Sequence, residues 1–176
     1  RDKTAIVRYE LSGPLKTLAK NGFLEGQYSI FDYGCGRGDD LRELEAHGLD
    51  VLGWDPNFLP DADKVNADLV NIGFVINVIE ERNERIEALQ GAWELTDKLL
   101  VASAMLANES HLAKFTPYKD GIITSRNTFQ KYYTQSELKL FIELSLDEQA
   151  IAVAPGIYFI FKDKDIEQEF LQNRHR

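Results

Sequence analysis

A chain of 176 residues that is 44% hydrophobic and 28% charged has the composition of one soluble globular domain, and is unlike disordered, collagenous or coiled-coil sequences. Its 29 acidic against 20 basic residues leave a net charge of −9, so the average field repels phosphate and a polyanion must be met by a local basic patch. Cys35 is the only cysteine, and His47, His111 and His175 are scattered, which excludes an internal disulfide and offers no four-ligand metal site. Apolar runs such as Ile157 to Phe161 fall far short of the roughly twenty residues that cross a bilayer, and no leader is visible, so a cytoplasmic protein without membrane contact is expected. The chain opens at Arg1 rather than Met, as a trimmed chain or a piece of a longer protein would.

Ser12-Gly13-Pro14 starts the first predicted helix, with Ser12 as N-cap, Pro14 in the first turn and Leu15, Leu18 and Ala19 on one face; Asn21-Gly22 closes it. Residues 1–26 thus read as a helical cap segment on a single domain spanning 1–176. Gln27 to Tyr33 is a β-branched and aromatic run, read as a strand, followed by a glycine loop and a helix from Asp39 to His47 through Leu41 and Leu44. Leu49 to Trp54 is a second strand running into Asp55-Pro56, and Ala67 to Ile72 a third. An amphipathic helix from Asn83 to Thr96 carries Ile86, Leu89 and Trp93 in register, and Leu99 to Ala104 is a fourth strand. Gln135 to Leu144 reads as a helix, and Glu148 to Val153 and Ile157 to Phe161 as two strands that pair antiparallel about Ala154-Pro155-Gly156; the polar tail from Lys164 is a short helix or frayed. Strands alternating with helices predict a parallel α/β sheet covered on both faces, here finished by an antiparallel hairpin.

Asp32-Tyr33-Gly34-Cys35-Gly36-Arg37-Gly38-Asp39-Asp40 is the most informative stretch. Glycines between a strand and a helix let the backbone approach a ligand closely, and the helix N-terminus suits a carboxylate or phosphate. A dinucleotide fingerprint needs a glycine where Asp39 stands, and two acids at the helix start repel pyrophosphate. Asp32 instead suits a ligand that carries an ammonium group beside a carboxylate.

Asp32, Gly34, Gly36 and Gly38 resemble the loop signature of Rossmann-like S-adenosylmethionine-dependent methyltransferases. The resemblance implies S-adenosylmethionine as cofactor, bound through Asp32, Tyr33, Gly34, Cys35, Gly36 and Gly38. It also implies that Asp55, at the end of the second strand, accepts hydrogen bonds from the ribose hydroxyls, with Pro56 or Trp54 flanking the adenine. Asp-Pro is equally an ordinary turn initiator. A closer resemblance runs over nearly the whole chain. Lys3 to Arg8 with Leu11, Ser12 and Pro14, Phe31 to Gly38, Gly53 to Pro56, Ala67 to Glu80, Thr128 to Tyr133 and Ala154 to Tyr158 are similar to the DNA phosphorothioation-associated methyltransferases. That implies a setting in DNA modification and leaves the acceptor open. Only twelve residues separate Asp55 from Asp68, so the family's third strand is short or missing, and its adenine-binding acid has no counterpart beyond Asp61 or Asp63.

By the same resemblance Asn71, Ile72, Gly73 and Phe74 face the methyl group, with Asn71 and Gly73 toward the cofactor and Phe74 toward the substrate. Asn71 can equally cap the next helix. The Pro-Pro motif of amino-methylating DNA enzymes and the Pro-Cys pair of cytosine-carbon enzymes are both absent. Residues 111–140 hold five basic against two acidic residues, interleaved with aromatics, and residues 1–20 have the same balance. Both segments suit a nucleic-acid strand, although such aromatics also fill cores and such lysines are often merely solvated. Lys131 and Tyr132 are the substrate candidates there. His111, Tyr132 and Tyr133 are candidate proton acceptors that no spacing separates. The expected function is methyl transfer from S-adenosylmethionine, with nucleic acid as the favoured acceptor and no metal. The alternative is a catalytically silent cofactor-binding module of a DNA-modification system.

Overall fold

The computed structural model describes residues 10–174. Its frame is a six-stranded sheet of β1 (Ile30–Tyr33), β2 (Val51–Trp54), β3 (Ala67–Gly73), β4 (Thr96–Ser103), β8 (Ile151–Ala154) and β9 (Ile157–Phe161), in the order β2-β1-β3-β4-β9-β8. The first four run parallel, while β9 is antiparallel to both β4 and β8. Central strands of a parallel sheet are covered on both faces and therefore read as continuous apolar runs. Leu99, Leu100, Val101 and Ala102 are accordingly all fully buried.

Alternation sends these side chains into two cores. Phe31, Val70, Ile72, Leu100, Ala102 and Ile160 meet Leu89 and Ala92 of α3 (Arg82–Leu95) and Leu138 and Ile142 of α5 (Gln135–Leu146). On the other face Ile30, Leu69, Val101, Phe159 and Phe161 meet α1 (Gly13–Lys20), α2 (Asp39–Ala46) and α6 (Lys164–Arg174) through Leu15, Leu18, Leu44 and Phe170. The polar tail is therefore a docked helix, with the Phe170 ring 5.4 Å from both Phe159 and Phe161. The predicted antiparallel hairpin turns at Gly156 as expected.

The missing third strand is a real feature of the fold. β2 is the outer edge of the sheet, and Leu52 on it is 56% exposed. The connection from β2 to β3 makes only a tight turn, with Leu59 N–H donating to the Asp55 carbonyl at 3.0 Å.

Residues 104–134 hold structure that the sequence pattern does not reveal. After α4 (Glu109–Leu112), β5 (Thr116–Tyr118), β6 (Gly121–Ile123) and β7 (Phe129–Gln130) form a small antiparallel sheet beyond the C-terminal end of β4. Strands of two or three residues are too short for alternation to register. A buried cation pins the insert: the Arg85 guanidinium, 1% exposed, donates to the carbonyls of Ile79 and Glu80 at 2.6 and 2.8 Å. The same guanidinium donates to both oxygens of Asp120 at 2.6 and 2.8 Å. A capping box between Thr134 and Glu137 then starts α5.

Candidate functional site

The C-terminal ends of β1, β2, β3 and β4 form one edge of the sheet, where the first turn of α1 sits over β3 and β4 with Pro14 against Gly73. Ligands of open α/β sheets bind at this edge, where the strand order reverses. β1 delivers Asp32, which is buried and accepts from Asn71 Nδ2 at 3.1 Å. Burial first, then the neighbouring Asp40 carboxylate, pushes the Asp32 pKa up to about 7; the Asn71 amide opposes this and Asp55 adds to it. The carboxylate has no basic partner among the described residues.

The glycines of the loop have different tasks. Gly34 and Cys35 N–H donate to the Trp54 carbonyl at 2.7 and 2.9 Å. Gly34 has φ 87°, and a Cβ there would lie 2.5 Å from Val75 Cγ2, so this glycine lets the β3–α3 loop pack against the turn. Gly36, at φ 57°, faces open space, with nothing within 4 Å of a Cβ at that position. Gly38 is the left-handed N-cap of α2. The Cys35 thiol is pushed up to about 11, chiefly by burial, which makes it a poor nucleophile.

Asp55 is buried and already engaged. One oxygen accepts from Asn57 and Phe58 N–H at 2.8 and 3.1 Å, and the other from Gly36 N–H at 2.8 Å. A carboxylate has about four acceptor positions, so the expectation that Asp55 takes both ribose hydroxyls narrows to one unless the Gly36 bond opens. Pro56 stands exposed on the turn. The Trp54 ring does not line this edge: it packs on Tyr33 at 5.2 Å, donates to the Pro60 carbonyl and lies under the Lys64 ammonium. The Tyr33 ring shares that opposite face, which leaves only its backbone to the loop. Asp61 and Asp63 are both exposed.

Ser12, at the N-cap position as expected but in another role, and Ser103, which the sequence pattern does not single out, complete the edge. Ser12 leaves its own helix uncapped; its N–H and hydroxyl both donate to Asp40, at 2.9 and 2.6 Å, fastening α1 to the start of α2. Ser103 ends β4 opposite Gly73. A Cβ on Gly73 would lie 3.2 Å from Asn71 Nδ2, and 3.4 Å from both Pro14 Cγ and Ser103 Oγ. Among the described residues three buried side-chain polar atoms have no hydrogen-bond partner, Asn77 Oδ1 under the insert and, at this edge, Asn71 Oδ1 and Ser103 Oγ. Buried polar atoms are normally satisfied, so these two call for an explanation. Ser103 has no local marker; only the strand register brings it level with Gly73.

The substrate candidates separate. Phe74 opens the loop after β3 at φ 60° and 38% exposure, with its N–H donating to the Ser103 carbonyl at 3.0 Å. Lys131 turns away from Gly73: it pairs with Glu137 at 2.8 Å and lines a cavity of about 170 Å³ with Arg82, Arg85 and Phe141, between α3 and α5. Tyr133 is no proton acceptor, because it is 1% exposed, its hydroxyl donates to the Ile76 carbonyl, and burial pushes its pKa up to about 12. Tyr132 and His111 remain outside the core, ring edge against ring face at 5.9 Å. Of the other basic residues of 111–140, Lys119 pairs with Glu80 and Glu81 and Lys139 with Glu143, while Lys114 and Arg126 have no ion pair among the described residues. Residues 1–9, half of the second basic segment, lie outside the described residues.

Strand order, glycine loop and terminal antiparallel strand together define the fold of the Rossmann-like methyltransferases. No family model matches the chain, and no curated protein matches it. Solved structures do. The 1,6-didemethyltoxoflavin N1-methyltransferase of Burkholderia thailandensis, with S-adenosylhomocysteine bound, aligns with TM-score 0.60 at 14% identity, over 92% of this chain and 80% of that one. The sugar N-methyltransferase KedS8 from Streptoalloteichus gives 0.59 at 11%, over 92% and 89%. The magnesium protoporphyrin IX methyltransferase of Synechocystis, also with S-adenosylhomocysteine, gives 0.56 at 14%, over 83% and 78%. At such identities the likeness is one of fold. No described helix is long and apolar enough to cross a membrane.

Proposed function

We propose that this chain is an S-adenosylmethionine-dependent methyltransferase. The observation that carries the reading is a buried carboxylate, Asp32, with no cation to answer it, beside the unpartnered Asn71 Oδ1 and Ser103 Oγ. Burying a charge is costly unless it is paired, and an amino-acid ammonium satisfies acceptors of this kind. The open space beside Gly36 leaves room for the rest of the amino acid against the loop, and the free acceptor position of Asp55 receives a ribose hydroxyl. Tyr33, Gly34, Cys35 and Gly38 shape the loop, Pro56 borders the ribose side, and Gly73 leaves room beside Asn71.

When bound, S-adenosylmethionine supplies a methyl group on a sulfonium. The chain then has to hold an acceptor in line with that methyl and keep water away, so positioning can carry much of the rate. The sequence resemblance to DNA phosphorothioation-associated enzymes favours a setting in DNA modification, so a nucleic-acid acceptor is the first to test. A transfer assay with radiolabelled cofactor, offering DNA, RNA, protein and small molecules, tests activity. Label should appear in one class and fall to background in Asp55→Ala; label in none, despite cofactor binding, would favour a silent cofactor-binding module.

A further inference from the structure

We propose that the acceptor group methylated at this site is carried on a planar aromatic ring, received by Met105, Tyr132 and the His111–Phe115 pair. The inference rests on the methyltransferase reading and names the class of substrate that the mouth of the site fits.

Side-chain alternation places these residues. Beyond β4, Ala104 lies in the core under α3 and α5 and Leu106 packs against it, so Met105 between them points to the α1 side with Ser103, and is 41% exposed. The chain returns alongside: Tyr133 N–H donates to the Met105 carbonyl at 3.0 Å, and Ala107 N–H to the Tyr133 carbonyl at 2.7 Å. Tyr133 and Lys131 face the α3 and α5 side, and Leu106 and Tyr133 form a parallel bridge, so Tyr132 and Met105, one residue before each, lie side by side on the other face. His111 stands edge-on to Tyr132 at 5.9 Å and to Phe115 at 4.9 Å. Phe74 enters the same rim with a backbone that bulky residues rarely adopt, and such strain collects at functional sites.

The chemistry of the rim favours one class of ligand. Aromatic faces and a polarisable thioether grip flat rings. Lys119, Lys131 and Lys139 are answered by acids of the protein itself, which leaves Lys114 and Arg126 as the cations of residues 111–140 without an ion pair among the described residues, too few for a continuous phosphate track, so recognition falls chiefly on a ring. A lone pair on the ring's amino or hydroxyl group forms the bond to the methyl carbon. The carbon–sulfur bond breaks with its electron pair kept on sulfur, and the acceptor's proton leaves to solvent at the open mouth.

The test is saturation-transfer NMR with calorimetry on the protein saturated with S-adenosylhomocysteine, offering 4-aminoquinoline, its fully saturated counterpart, deoxycytidine and a short single-stranded oligodeoxynucleotide. Aromatic probes should bind at least about tenfold more tightly than the saturated ring, the size of a base-on-aromatic stack. Tyr132→Ala should remove that preference and Tyr132→Phe should keep it, with S-adenosylhomocysteine affinity unchanged in both. Tighter binding of the oligonucleotide than of deoxycytidine assigns the ring to a base within a strand, and equal binding to a free ring; either supports the proposal. Equal binding of aromatic and saturated probes, or a preference that survives Tyr132→Ala, overturns it and leaves the cofactor reading intact. Failure of the wild type to bind S-adenosylhomocysteine overturns both.

Discussion

Around the glycine loop, backbone geometry fixes almost everything: Gly34 fits Val75, Gly38 caps α2, and Asp55 ties the loop to the turn after β2. Across the cleft the mouth is assembled from residues far apart in the chain, half-buried rings of Phe115 and Tyr132, the exposed His111 and a thioether, on an insert pinned by Arg85 and Asp120. One end is pre-organised, with little freedom to accept another ligand; the other can change its contacts without disturbing the sheet. Sites of constant chemistry and variable partner divide in this way, because pre-organisation favours a single ligand and soft apolar surface adapts.

The comparison can be broken by disturbing each end in turn. Gly34→Ala forces a left-handed alanine into Val75 and should cost about 3 kcal/mol or more from conformation and overpacking together, read as a lower midpoint of urea unfolding. Asp120→Asn strips the buried Arg85 of its counter-charge. Because Asp120 itself is 43% exposed and the amide still accepts one bond, the substitution should cost about 1–2 kcal/mol and loosen the mouth, weakening aromatic probes while S-adenosylhomocysteine still binds. If Asp120→Asn abolishes S-adenosylhomocysteine binding too, the two ends are not independent. Smallest is Ser103→Ala, which removes an unpartnered hydroxyl: the ligand-free protein should change by less than about 1 kcal/mol, whereas cofactor affinity should drop a few-fold.

The cofactor end was legible in the sequence because its signals are local. Asp32, the glycines and Asp55 lie within one strand–loop–helix–strand stretch, and the twelve-residue gap before Asp68 exposed the lost third strand by arithmetic alone. Strand ends were less so: β1 begins at Ile30 rather than Gln27, since Gln27 is exposed and its side chain serves the preceding turn. The mouth was hardly legible. Neither the short strands of the insert nor the side to which 131, 132 and 133 each point is written in local pattern, because both are set by pairing with residues 105–107. Ser103 has the same difficulty: a serine at a strand end has no signature until register places it beside Gly73.

Asp32 gives the most direct test of the central claim. Its folded pKa, about 7, lies above the ordinary value of 3.8, so the ionised form is penalised in the ligand-free protein, and the stability this group contributes is lost as pH rises from about 4 to 7. Asp32→Asn should therefore raise the unfolding midpoint of the ligand-free protein at pH 8 and change it little near pH 4. A ligand ammonium demands the ionised form, so calorimetry with S-adenosylhomocysteine should show wild-type affinity falling toward tenfold per pH unit between about 7 and 5.5. Asp32→Asn should bind about 100-fold more weakly at pH 8, with that slope gone. Undiminished affinity in Asp32→Asn, or wild-type binding indifferent to pH over that window, would contradict the assignment of this carboxylate to the cofactor.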